Sequence, residues 1–207
     1  IFEEYLIQGY IRVTTIGCPN KMVAETTREN AMKYLRGGNN PSIKRRLEHV
    51  MTTMNKEERN NFVIPLPLWM ARFVPHLFFT PQHLLEKEGK KARQIFDAKY
   101  RYDADSFSVN MFTSTSEGTE LDCAFGDVLF KLLTRVWNLR ITHPDRDIVL
   151  HANDIKSCFR NLKHHPDVMG AFSCILGDFL FLQCSLTFGS DFSPANWEVV
   201  RRIAEKL

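Results

Sequence analysis

"AFSCILGDFLFLQC", residues 171–184, is the stretch on which the fold turns. Two apolar runs, AFSCIL and FLFLQC, flank Gly177 and Asp178. Such a pair suits a two-residue β-hairpin turn, so two antiparallel strands are predicted here. Downstream comes LTFGSDFSPANWEVVRRIAEKL, residues 186–207. Ser193 is placed to cap a helix, and Pro194 suits its first position. Trp197, Val200, Ile203, Ala204 and Leu207 give that helix an apolar face. Upstream, IVLHAND (148–154) reads as a strand ending at Asp154.

Further upstream the pattern is mixed. Residues 120–140 are predicted helical, with Leu121, Phe125, Val128, Leu129, Leu132, Leu133, Val136 and Leu139 at helical spacing. Glu117 and Glu120 near its start and Lys131, Arg135 and Arg140 toward its end suit the helix dipole. FTSTSEGTE (112–120) reads as a polar loop, and a short strand is predicted around Gln94 to Ala98. FVIPLPLWMARFVPHLFFTPQHLL (62–85) holds four prolines, which exclude a long helix and favour extended pieces and turns. Ile43, Leu47, Val50, Met51 and Met54 mark one face of a surface helix over about 42–60. RENAMKYLRGGNN (28–40) reads as a helix stopped by Gly37 and Gly38, and YIRVTTI (10–16) as a short strand. No internal repeat occurs. Hairpins mixed with helices point to an α+β fold.

The 207 residues are 44% hydrophobic, enough for one large domain or two small ones with a real core. A net charge of +3 does not by itself argue for nucleic acid. Its distribution says more: Lys87, Lys90, Lys91, Arg93, Lys99 and Arg101 face only Glu88 and Asp97 within Lys87–Arg101. That stretch is either a phosphate-binding surface or a solvated loop. Five cysteines (Cys18, Cys123, Cys158, Cys174, Cys184) form no CxxC pair, which fits free thiols in a reducing compartment. The histidines lack the spacing of zinc sites, and no G-x-S-x-G elbow surrounds Ser157. No run approaches a membrane span, and residues 1–30 do not read as a signal peptide. The first residue is Ile1 rather than Met, and the expectation is a piece of a longer chain.

Three features could carry chemistry. Asp154 is either a cap or salt-bridge partner of Lys156, or the anchor of a magnesium ion, which takes hard oxygen ligands. FGSDFSP (188–194) is a glycine turn feeding a helix N-terminus, where backbone and ligand can approach closely. Arg93 precedes the strand QIFDA, so its two-pronged guanidinium would be aimed from a fixed frame.

Together, DIKSCF (154–159), LKHHP (162–166) and LTFGSDFSPANW (186–197) resemble the palm motifs of a retroelement reverse transcriptase. LLEKEGKKARQIFDAKYR (84–101) is similar to that family's finger motif. The likeness covers about residues 60–207. It implies a right-hand polymerase fold with antiparallel sheet packed on helices. Residues 61–147 would be fingers-like and 148–207 the first half of a palm, after an N-terminal helical region, 1–60, of unclear role. It further implies that Asp154, helped by the backbone carbonyl of Ile155, binds part of a two-ion Mg²⁺ site. Phe159 would be the gate against a ribose 2′-hydroxyl. Lys87 and Arg93 would hold the incoming triphosphate, Phe188 and Gly189 would shape the nucleotide pocket, and Asp97 would structure the finger hairpin. The implied partners are an RNA or DNA template with primer and deoxynucleoside triphosphates, with no membrane, inside the cell in cytoplasm or nucleus.

The sequence departs from the family pattern in places. No Y-x-D-D motif occurs, so the fragment alone is expected to be inactive. Lys87 to Arg93 is one residue shorter than in many relatives, and Lys99 and Arg101 stand where a single arginine is usual. The alternative is a decayed or domesticated relic that binds nucleic acid without chemistry. A third reading is an RNA-directed RNA polymerase, against which the aromatic Phe159 argues.

Overall fold

The computed structural model describes residues 4–18, 20–22, 28–115, 127–150 and 155–204. In chain order the elements are α1 (Glu4–Thr15), β1 (Asn20–Met22), α2 (Arg28–Gly37), α3 (Pro41–Arg45), α4 (Leu47–Arg59), β2 (Val63–Pro67), β3 (Gln82–Leu85) and β4 (Arg93–Phe96). They continue with α5 (Val109–Phe112), β5 (Thr113–Thr115), α6 (Val128–Thr142), β6 (Ser173–Leu176), β7 (Phe179–Gln183) and α7 (Ser193–Ala204). Short 3-10 turns occupy Leu68–Phe73, Cys158–Asn161 and Pro166–Phe172.

The expected hairpin is the centre of the molecule. β6 and β7 pair antiparallel from Leu176↔Phe179 to Ser173↔Leu182, around Gly177 at φ +57°. β2 pairs with the other side of β7, giving the order β2-β7-β6. Pro65 and Pro67 cannot donate to a ladder, and they sit on β2, an edge strand. The sheet is buried on both faces, so FLFLQC reads as an unbroken apolar run rather than an alternation. Leu180 joins one core with Val13, Tyr34, Phe78, Phe172, Leu186 and Phe192. Phe181 points the other way, into a core with Ile43, Val50, Met54, Val63, Leu84 and Leu176. Burying each such side chain contributes about 1.5–3 kcal/mol. Helices thus cover both faces of an antiparallel sheet, the predicted α+β arrangement. Both cores draw on side chains before residue 60, Val13 and Tyr34 in one and Ile43, Val50 and Met54 in the other.

Several local expectations need correction. YIRVTTI lies in a helix, α1, not a strand. Its threonines satisfy their hydroxyls locally: Thr14 Oγ1 donates to the Tyr10 carbonyl at 2.8 Å and Thr15 Oγ1 to that of Ile11 at 2.6 Å. α1 packs against α7, with Gly9 facing Val199. The helix over 42–60 is two helices, broken at Arg46 (φ −125°, ψ 32°), and its face is partly inside: Ile43, Val50 and Met54 are buried while Leu47 is exposed. Within the expected polar loop, Thr113–Thr115 form β5, paired antiparallel with β1. Residues 116–120 lie outside the described residues. Ser193 does not cap α7 from outside; it is the first helical residue, and its Oγ donates to the Thr187 carbonyl at 2.9 Å.

The helix expected over 120–140 begins, among the described residues, at Val128 and runs to Thr142. Leu121 and Phe125 lie outside the described residues. The helix is present over this described part, but its described apolar side chains enter neither core: Leu129, Phe130, Leu133, Trp137 and Ile141 are all more than half exposed. The strand expected over 148–154 does not form in its described part. Ile148–Leu150 lie outside any strand, and Val149 is 84% exposed. An apolar triplet becomes a strand only with a ladder partner and a surface to cover. The sheet's edges are β2 and β6, and neither pairs with it.

The four described cysteines are free. Burial pushes the thiols of Cys18 and Cys174 up to about 12, which leaves them unreactive at neutral pH. His164 of LKHHP is only 1% exposed. Its ring stacks on Phe172 (centroids 4.5 Å, 10°) and meets Phe192 edge-on, and neither ring nitrogen has a hydrogen-bond partner among the described residues. Burial first, and the nearby Arg160 charge second, push its pKa down to about 3. Unfolded, the same imidazole takes up a proton near pH 6.5. The unfolded chain then binds more protons, so this stability is complete above about pH 6.5 and is lost as pH falls toward 3. By pH 5 the loss is about 2 kcal/mol. Urea unfolding of the wild type and His164→Phe at pH 7.5 and 5 checks this: the phenylalanine variant should lose that much less on acidification. Equal losses would show that His164 is not the group responsible.

Candidate functional site

Two chain segments build the site. The first runs from Ile155 through the 3-10 turn Cys158–Asn161, entered by Ser157 in the left-handed region at φ +55°. The second runs from Cys184 into α7. They are laced side by side: Leu186 N–H donates to the Leu162 carbonyl at 2.9 Å, and His164 N–H to that of Cys184 at 2.9 Å. Lys163 bridges Ser185 antiparallel, and its Nζ donates to Ser185 Oγ at 2.9 Å.

This lacing brings Phe159 to Phe188. Their ring centroids lie 5.0 Å apart at 61°, an edge-to-face arrangement. Phe159 is half-buried, whereas Phe188 is 57% exposed, so the pair presents one open aromatic surface. Gly189 follows at φ +104° and lies tight against β4; a Cβ there would stand 2.5 Å from the Phe96 carbonyl oxygen. Asn110 holds the turn from the other side. Its Nδ2 donates to the Gly189 carbonyl at 2.9 Å, and its Oδ1 accepts from Asp191 N–H at 3.4 Å. Lys99 pairs with Asp191 at 3.5 Å. The basic hairpin therefore docks at its base on the Phe188–Gly189 turn.

Lys87 and Arg93 sit on that hairpin and are exposed. Arg93 opens β4 opposite Leu85, roughly 10 Å along the strand from Phe96. Lys87 stands in the connecting turn, its carbonyl accepting from Lys90 N–H at 3.0 Å. It lines a cleft of about 510 Å³ with Arg46, His49, Glu86, Glu88, Lys90 and Lys91. Arg46 Nε donates to Glu86 at 3.1 Å across this cleft. Asp97 acts through its backbone: its N–H donates to the Pro81 carbonyl at 2.9 Å, and its own carbonyl accepts from Tyr100 N–H at 3.0 Å. These bonds fix the end of β4.

Asp154 lies outside the described residues, and Ile155 is 50% exposed. Among the described residues, no group of three or more His, Cys, Asp or Glu side chains is gathered as a metal cage would be. Also among them, no helix is long and apolar enough to cross a membrane.

The sequence reading missed Arg160 and Glu57. Arg160 is 8% exposed, and its guanidinium meets the Glu57 carboxylate from α4. It also donates to Gln183 Oε1 at 3.0 Å and to the Ser185 carbonyl at 3.3 Å, and it lies over the Phe62 ring at 5.2 Å. No spacing rule marks such a residue, because its partners come from α4, β7 and the segment after β7. Asn110 was missed for the same reason. No protein-family model, no curated protein and no solved structure matches the chain.

Proposed function

We propose that these residues belong to an RNA-directed DNA polymerase, with fingers over residues 61–147 and the first half of a palm over 148–207. The observation that carries the reading is the meeting of Phe159 and Phe188, 29 positions apart, beside a basic hairpin seated on Gly189. A polymerase needs such a surface under the sugar and base of an incoming nucleotide, with cations near its phosphates. In this reading the Phe159 edge lies where a ribose 2′-hydroxyl would fall and excludes it. Phe188 and the Gly189 backbone form the floor, and Arg93 and Lys87 reach the triphosphate from the hairpin. The template–primer backbone is tracked by charge rather than by base contacts.

The Asp154 carboxylate and the Ile155 carbonyl are hard oxygen donors of the kind magnesium takes, alongside substrate phosphates. When bound, the ions would stabilise charge on the attacking and leaving oxygens of phosphoryl transfer. The chain's own part is to hold the nucleotide, exclude the ribose and place the phosphates. One carboxylate is only part of a two-ion set, so the activity belongs to the full-length gene product.

Primer extension by that product, with Mg²⁺ and deoxynucleotides, tests the proposal. Wild type should extend a primer, Asp154→Asn should not, and Phe159→Ala should admit ribonucleotides. Extension at an unchanged rate in Asp154→Asn would overturn the metal assignment. Tight template–primer binding by the wild type without extension would point to a binding module instead.

A further inference from the structure

We propose that Arg160 is a positioning residue for the aromatic pair, and that α4 serves the site by holding it through Glu57. The inference rests on the polymerase reading for its consequence in nucleotide choice, and on geometry alone for its structural part. Arg160 follows Phe159 directly and lies in the same 3-10 turn. Its guanidinium crosses to the second segment, donating to the Ser185 carbonyl at 3.3 Å, a few residues before Phe188, and also to Gln183 Oε1 at the end of β7 at 3.0 Å. One planar fork thus ties the segment carrying Phe159 to the segment carrying Phe188.

A buried guanidinium is tolerated only when its charge and its donors are met. Glu57 supplies the charge from α4, and the Phe62 ring covers one face of the fork. Lysine cannot replace this arrangement, because a point charge with rotating donors does not hold two segments at a fixed angle. The backbone bonds between Leu162 and Leu186 set the register of the two segments. The rings sit on side chains beyond those bonds, and the Arg160 fork, one residue from Phe159, joins the Lys163–Ser185 contact in limiting their approach.

The test uses the full-length gene product with Arg160→Lys, Glu57→Gln and, as a control, Val50→Ala. Val50 is fully buried on α4, in a core of described residues to which neither segment of the site contributes a side chain. Arg160→Lys and Glu57→Gln should raise KM for deoxynucleotides and lower discrimination against ribonucleotides by about tenfold, with kcat nearly unchanged. Val50→Ala should destabilise the protein without altering discrimination. Hydrogen exchange supplies a readout that needs no activity. The Leu162 and Leu186 amides should exchange faster in both site variants than in Val50→Ala. Wild-type discrimination and wild-type exchange in Arg160→Lys and Glu57→Gln would overturn the positioning role. If the wild type does not polymerise at all, the polymerase reading falls while the exchange result still decides the role of Arg160. Should Glu57→Gln fail to fold, Arg160→Lys carries both readouts.

Discussion

Gly189→Ala should destabilise the protein by about 3 kcal/mol or more, while Gly177→Ala should cost only about 1 kcal/mol. Both glycines have positive φ, +104° and +57°, which an alanine occupies with strain. Space separates them. Nothing lies within 4 Å of a Cβ added at Gly177, whereas one at Gly189 would stand 2.5 Å from the Phe96 carbonyl oxygen. That oxygen belongs to the backbone of β4 and cannot swing aside as a side-chain tip does. Accommodation would push β4 away from the turn, and with it the hairpin bearing Lys87 and Arg93. Urea midpoints of the two variants measure the difference. Equal losses would mean that β4 does not press on the turn. Under the proposed polymerase reading, the same substitution should weaken nucleotide binding as well.

Glu57→Ala should cost about 3 kcal/mol, the low end of what removing one partner of a buried ion pair costs. The penalty arises because Arg160, with its side chain 9% exposed, keeps its charge while losing its carboxylate. It stays at the low end because the Glu57 side chain is 26% exposed and other acceptors remain on the guanidinium. Glu57→Gln retains an acceptor oxygen and should cost about half as much. Denaturant unfolding of the wild type and both variants provides the check. A midpoint for Glu57→Ala within about 0.5 kcal/mol of wild type would show that water replaces the carboxylate. The two costs should order as Ala above Gln; the reverse order would mean that the glutamine NH₂ is held against the guanidinium donors of Arg160.

Much of this molecule was legible locally. The Gly177–Asp178 turn, the prolines of 62–85 and the Gly37–Gly38 pair ending α2 are punctuation whose meaning depends on backbone geometry alone, and those elements formed where expected. The errors fell where local signals were ambiguous. YIRVTTI carries β-branched residues that suit a strand, yet a partner surface on α7 settled it as helix. Ile148–Leu150 has strand composition, yet no sheet edge among the described residues receives it.

The candidate site divides in the same way. Phe159, Phe188, Gly189 and the basic hairpin could be named from motif order, because each is marked by its own neighbours. Arg160, Glu57 and Asn110 could not, since each acts through partners far away in the chain: Glu57 to Arg160, and Asn110 to the Gly189 turn. By itself, the sequence determined the central hairpin, the helical periods and the α+β class, because turn chemistry and apolar spacing act over a few residues. Only the tertiary structure decided that the sheet is covered on both faces, that α4 meets Arg160 through Glu57, and that α6 lies outside both cores. Those outcomes depend on which surfaces meet, and burial and charge pairing are properties of the assembled chain.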